Sequence, residues 1–172
     1  MPGQVQVVNR QSYFAIVAIH AGEIEPYTGI IAKQIAGTEY SFYVYQGKNR
    51  TEHVTSTEFY EPKLARILDS CYRVVSIHGE HETDDEFVMV GGLDSELASH
   101  IVKTLIDSGF EVRKPTKDLA GMNKHNVTNR GRSRKGVQLE ISRGLRKTLS
   151  REQLKTNMFA GSIRSVLKTY TI

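Results

Sequence analysis

Residues 14–19, FAIVAI, are apolar without a break and end at His20. A strand with one wet face alternates polar and apolar residues. An unbroken apolar run with β-branched members is instead a strand buried on both faces, as in a sheet covered by helices on either side. Residues 73–77, RVVSI, read as another strand and end at His78-Gly79. These two strands point to the fold class, and their two histidines mark where chemistry is to be sought.

Between them, Pro26 suits the first turn of a helix with Ile30, Ile31 and Ile35 on its apolar face, ending near Gly37. Residues 40–45 alternate as a strand stopped by Gly47, and Glu61-Pro62 opens a helix with Leu64, Ile67, Leu68 and Cys71 inward. Beyond His78, residues 86–90 form a short strand closed by Gly91-Gly92. Asp94 or Ser95 caps a helix carrying Leu97, Ala98, Ile101, Val102, Leu105 and Ile106, and Gly109 ends it. Residues 110–113 are a further strand, 114–135 a polar loop long enough to be functional, and 136–141 (GVQLEI) the last strand. Ser150 with Gln153 has the capping-box pattern of a C-terminal helix that includes Leu154, Phe159, Ile163 and Leu167. The expected fold is α/β: a single domain over residues 1–172, with a mixed, mostly parallel sheet and helices on both faces.

The composition narrows the chemistry. Hydrophobic residues make up 39% and charged residues 24%, as in an ordinary globular chain. No apolar run approaches the ~20 residues of a membrane span, and the N-terminus lacks a basic-then-apolar signal. Synthesis in the cytoplasm without a signal peptide is therefore expected, with no membrane partner. A lone Cys71 rules out an internal disulfide and any multi-cysteine metal site, so a metal must use His, Asp and Glu. The net charge of +4 and a pI near 9.2 favour acidic partners without naming them. No exposed heptad argues for assembly, and a monomer is expected.

Ligands in open α/β sheets bind beyond the carboxyl ends of the strands. If the strands ending at His20 and His78 are near neighbours, both imidazoles enter one crevice. A carboxylate follows the first, at Glu23 or Glu25. Two His and one Glu with an open fourth position is a catalytic zinc set, which polarises a carbonyl and lowers the pKa of water to ~7.

The segment from His20 to Thr28, HAGEIEPYT, resembles the H-G-G-x-I-E-P-G-T segment of the phage and Bacillus poly-γ-glutamate hydrolase family. The likeness continues in order through residues 40–43 (YSFY), 52–56 (EHVTS), 59–62 (FYEP) and 77–79 (IHG). It runs on through 91–94 (GGLD), Gly109-Phe110, 126–131 (NVTNRG) and 136–141. The resemblance implies a zinc-carboxypeptidase-like fold and hydrolysis of γ-glutamyl amide bonds, with one Zn2+ per chain on His20, Glu25 and His78. The family usually has a small residue where this chain has Glu23.

The resemblance also implies that Glu140 is the general base and that the Asn129-Arg130 pair grips a substrate carboxylate, with Arg130 able to hold the oxyanion as well. Val137, Leu139 and Ile141 flank Glu140 and put it on the opposite face of its strand or at an exposed end. His53 matches another family histidine and is expected to touch substrate or support the site. His81, His100 and His125 have no such match. Arg130, Arg132, Arg134 and Lys135 are expected to line the cleft and bind the polymer's carboxylates. The expected partner is poly-γ-glutamate or another acidic amide, with release by cell lysis if a phage carries the gene. One alternative is a zinc amidase for small N-acyl amino acids or short γ-glutamyl peptides. Another is a phage nucleic-acid-binding protein built on the 130–135 cluster, which lacks interleaved aromatics.

Overall fold

The computed structural model describes residues 3–80 and 83–170. Its strands are β1 (Gln4–Val8), β2 (Phe14–Gly22), β3 (Ser41–Gly47), β4 (Arg73–Gly79), β5 (Val88–Gly91), β6 (Val112–Arg113) and β7 (Val137–Ile141). They form one sheet in the order β1-β3-β2-β4-β7-β5-β6. The middle four, β3, β2, β4 and β7, are parallel. β1 joins one edge antiparallel to β3, and β5 joins the other side antiparallel to β7, with β6 parallel to β5. The expected α/β class and mixed, mostly parallel sheet are what the chain adopts.

The helices are α1 (Thr28–Ala36), α2 (Pro62–Ser70), α3 (Ser95–Asp107), α4 (Arg143–Arg151) and α5 (Gln153–Thr169). Four of them, α1, α3, α4 and α5, cover one face of the sheet, where Ile31, Leu97, Leu145 and Phe159 meet Ile16, Ile77 and Leu139. On the other face α2 alone packs Leu64, Ile67 and Leu68 against Ala15, Val17, Tyr43 and Val74. Glu61 caps α2 by accepting from the amides of Lys63 and Leu64, and Asp94 caps α3 at Leu97. A cleft opens at the carboxyl ends of the strands on this face, and among the described residues no α-helix lines it.

The outline read from sequence omits β1, reads β5 and β6 as 86–90 and 110–113, and differs from the structure in the helices as well. α1 starts at Thr28 rather than at Pro26, and Ile30 is 58% exposed. Ile106 likewise faces solvent at the far end of α3. Residues 143–151 form a helix that apolar periodicity could not show, because one of its inward positions is Arg146. Ser150 belongs to that helix, donating to the Lys147 carbonyl, so it opens nothing, and Leu154 is exposed. The actual cap of α4 is Ser142, whose Oγ accepts from the Leu145 amide.

Candidate metal centre

β4 and β7 pair in register with His78 beside Glu140. Val75, Ile77, Val137, Leu139 and Ile141 face the four-helix side, so His78, Gln138 and Glu140 turn to the cleft side by strand alternation. Simple alternation would send His20 the wrong way, since Ala18 faces the four-helix core. The pairing of β2 with β3 slips by one residue between Ala18 and Ala21, and Ala21 again faces that core. This bulge carries His20 round to the face of His78, a common use of bulges beside active sites. The chain then doubles back: Gly22, at φ 77°, abuts the Gly47 carbonyl, and the Glu25 amide donates to the His20 carbonyl at 2.7 Å.

His20 Nδ1 lies 3.0 Å from Glu25 Oε1 and 3.2 Å from His78 Nδ1, and His78 Nδ1 lies 3.6 Å from Glu25 Oε2. All three residues are buried. His20 Nε2 sits 2.7 Å from the Val54 carbonyl, which only accepts, so Nε2 carries the hydrogen and a neutral imidazole offers its Nδ1 lone pair. Nδ1 of two imidazoles and a carboxylate oxygen thus converge, an arrangement that a cation at their centre would satisfy. A tetrahedral zinc with bonds of about 2.0–2.1 Å sets its ligand atoms about 3.3 Å apart, in line with these separations. The donors therefore fit zinc.

A protonated imidazole instead donates to Glu25, a state that competes with a metal for the same nitrogen. Burial pushes the Glu25 carboxyl upward, but hydrogen bonds with His20 and His78 outweigh it and hold the group well below the usual carboxylate range. Burial opposes a charged His78, yet the bond to Glu25 outweighs it and raises the imidazole. The second Glu25 oxygen also accepts the Gly79 amide at 2.9 Å. Glu23, by contrast, is exposed and outside the cluster. Geometry selects Glu25.

Glu140 is buried, and desolvation pushes its carboxyl up to about 7. Gln138, two residues earlier on the same strand face, donates to Glu140 Oε1 at 2.8 Å and to the Leu119 carbonyl at 3.2 Å. Asn126 donates to Gln138 Oε1 at 3.0 Å, which fixes the amide's orientation. Glu140 is thus aimed by a chain of two amides. Neither Asn126 nor the role of Gln138 was singled out from sequence, although Gln138's period-2 spacing from Glu140 was the available signal.

Arg146 also escaped the sequence reading. Fully buried, it donates to the carbonyls of Ile141 (3.0 Å), Pro26 (2.7 Å) and Glu80 (2.8 Å). Ile141 ends β7, and Pro26 and Glu80 follow β2 and β4, so one guanidinium ties together the segments that carry Glu140, Glu25 and His78. A Cβ on Gly79 would sit 2.6 Å from the Arg146 Cζ. Gly79→Ala should therefore displace a fully engaged side chain and cost about 1–3 kcal/mol, measured as a fall in the denaturant midpoint.

The cleft, about 970 Å³, is walled by His53, residues 55–57 and residues 117–123 and floored by His20, Glu25, His78, Gln138 and Glu140. His53 lines it with its ring stacked on His20, centroids 4.1 Å apart. Asn129, Arg130, Arg132, Arg134 and Lys135 do not line it, and the expectation that they would is corrected. They precede β7, whereas Glu140 lies near its carboxyl end, about 3.3 Å per residue away. Backbone bonds from Arg132 and Ser133 to the carbonyls of Cys71 and Tyr72 pin this segment at the amino end of β4. Asn129 is wholly buried. Its amide donates to the Gly121 and Asn123 carbonyls and accepts from the Leu93 and Gly136 amides, leaving no capacity for a substrate. Arg130 donates to the Phe59 carbonyl at 2.6 Å. His100 and His125 are exposed, and His81 lies outside the described residues.

Comparison with known proteins matches this geometry to a family. The family described as poly-gamma-glutamate hydrolase matches residues 3–171. Among curated proteins, UPF0714 protein YndL of Bacillus subtilis (strain 168) is 33% identical over 156 residues, covering 86% of this chain and 61% of its own. The SPbeta prophage-derived UPF0714 protein YoqZ of the same organism is 36% identical over 152 residues, covering 85% and 53%. The chain thus spans somewhat more than half the length of these relatives. Among solved structures, a bacteriophage poly-gamma-glutamate hydrolase superposes with a TM-score of 0.91 at 28% identity, covering 98% of this chain and 89% of the other. A structure described as YNDL-apo (Zinc-free) superposes with a TM-score of 0.88 at 29% identity, covering 98% and 91%. The chain belongs to the poly-gamma-glutamate hydrolase family.

Proposed function

We propose that this chain is a zinc-dependent amidohydrolase that cleaves the γ-glutamyl amide bonds of poly-γ-glutamate. The observation that carries this reading is the convergence of His20, Glu25 and His78, with the buried carboxyl of Glu140 directly beside His78 on the neighbouring strand. Zinc, when bound there by His20, Glu25 and His78, supplies Lewis acidity toward an amide carbonyl and toward water.

The remaining work falls to the chain's own groups. Ionised Glu140 takes the proton of the attacking water as the new C–O bond forms, then returns it to the departing nitrogen as the C–N bond breaks. A pKa near 7 suits a group that must do both. Gln138 holds one oxygen of Glu140 and leaves the other to exchange the proton. His53, stacked on His20 at the cleft wall, flanks the reacting unit. The description of a structural neighbour as zinc-free, and the family's own description, support both metal and substrate class.

Incubation of the zinc-loaded protein with poly-γ-glutamate, followed by gel electrophoresis, should show progressive shortening of the polymer that a chelator abolishes. Intact polymer together with hydrolysis of N-acyl amino acids or short γ-glutamyl peptides would replace this reading with that of a small-substrate amidase.

A further inference from the structure

A polymer with one free carboxylate per unit must meet cations beyond the reacting centre. The cleft itself is poor in them, with Glu25, Glu80, Asp118 and Glu140 set against Lys117 among the described residues that line it. The basic 130–135 segment sits at the other end of the sheet. A second cavity, about 200 Å³, begins one residue after Glu25 and is lined by Pro26, Tyr27, Arg50, Arg143, Arg146 and Lys147. Arg146 forms the partition, reaching the Pro26 carbonyl of this cavity and the carbonyl of Glu80, whose residue lines the cleft.

Among the described residues the exposed cations of this cavity outnumber the carboxylates that pair with them. Asp84 pairs with Arg143 at 2.9 Å and with Lys147 at 3.1 Å. Arg50 makes no ion pair among the described residues, and the buried Arg146 lies near Glu25, Glu80 and Glu140, so among the described residues Asp84 alone is shared by Arg143 and Lys147 while Arg50 stands without a carboxylate. Arg143 is also the first residue of α4, whose first turn holds no acid. A cation there opposes the helix dipole, an arrangement that stability alone disfavours. Sequences break such local rules where function requires it.

We infer that this cavity is a carboxylate subsite, holding a free α-carboxylate of the polymer at a unit beyond the two joined by the scissile amide. The inference rests on the hydrolase reading above for the nature of its ligand. Guanidinium and ammonium groups around a small cavity match a carboxylate in charge and in hydrogen-bond donors.

The Arg50→Gln/Lys147→Gln double variant tests it, since both side chains are exposed and Arg143 remains to hold Asp84. In a Glu140→Gln background, which keeps the polymer intact, labelled poly-γ-glutamate is titrated and followed by fluorescence anisotropy. Exposed charge contacts are individually weak, so the double variant should bind about three- to ten-fold less tightly at low salt, with the gap closing at physiological salt. Equal affinity at low salt overturns the subsite. In the active protein, KM on polymer should rise by the same factor, while KM on a γ-glutamyl dipeptide, too short to reach both sites, changes by less than about two-fold. An equal rise on the dipeptide overturns it too. Polymer that binds in this charge-dependent way but is never cut leaves the subsite standing and removes the hydrolase reading; polymer that binds neither protein removes both.

Discussion

Glu140→Gln should fold, retain zinc and lose about 10²–10⁴-fold in turnover, the usual cost of removing a positioned general acid–base. The substitution keeps the shape of the side chain and abolishes its capacity to carry a proton between water and the leaving nitrogen. The limb of the wild-type kcat/KM profile that reports ionisation of Glu140 should vanish with it. Stability should move the other way. In the metal-free wild type the folded state keeps the Glu140 proton up to about pH 7, whereas the unfolded chain releases it near 4.5. Stability therefore falls as pH rises between those values, by on the order of 3 kcal/mol in full above pH 7. Glu140→Gln removes that penalty, so its Tm should exceed that of wild type at pH 8 and match it at pH 4. Activity within a few-fold of wild type would demote Glu140. Glu80, which also lines the cleft, would then be the carboxylate to test, while Glu82 lies outside the described residues.

The second large effect is on the metal. His20→Ala, His78→Ala and Glu25→Gln should each weaken zinc binding by more than about 100-fold, beyond the 10–100-fold typical of residues that merely support a ligand. Each removes one of three buried donors that converge. Glu23→Gln should leave binding unchanged, because its carboxylate faces solvent. Metal content after dialysis reads this directly, and a zinc-dependent rise in Tm, present in wild type and Glu23→Gln but absent in the other three, reads it independently. Full retention of zinc by either histidine variant would remove the site.

Much of this was legible in the chain because burial writes itself into sequence. The unbroken run before His20 and the strand before His78 placed both histidines at carboxyl ends of strands, and alternation in GVQLEI left Glu140 on the face opposite its apolar neighbours or at an exposed end. Legibility failed where a residue's place depends on partners far along the chain. The bulge that turns His20 toward His78 leaves no periodic trace, since His20 sits between Ile19 and Ala21, either of which would suit a core. Arg146 looks like a surface cation until its carbonyl partners, 5, 66 and 120 residues away in sequence, assemble around it. The 130–135 cluster misled for a related reason. Nearness in sequence to Glu140 was taken for nearness in space, and a strand separates the two by its own length.

The central claim is that one zinc occupies the point where His20, Glu25 and His78 meet. Anomalous diffraction collected on either side of the zinc absorption edge, on crystals of the zinc-loaded protein, locates the metal without reference to activity. One peak per chain is expected, about 2.0–2.1 Å from Nδ1 of both His20 and His78 and about 2.0–2.2 Å from a Glu25 carboxylate oxygen. A zinc-loaded crystal with no peak there, or with its peak on Glu23 or elsewhere in the cleft, would contradict it.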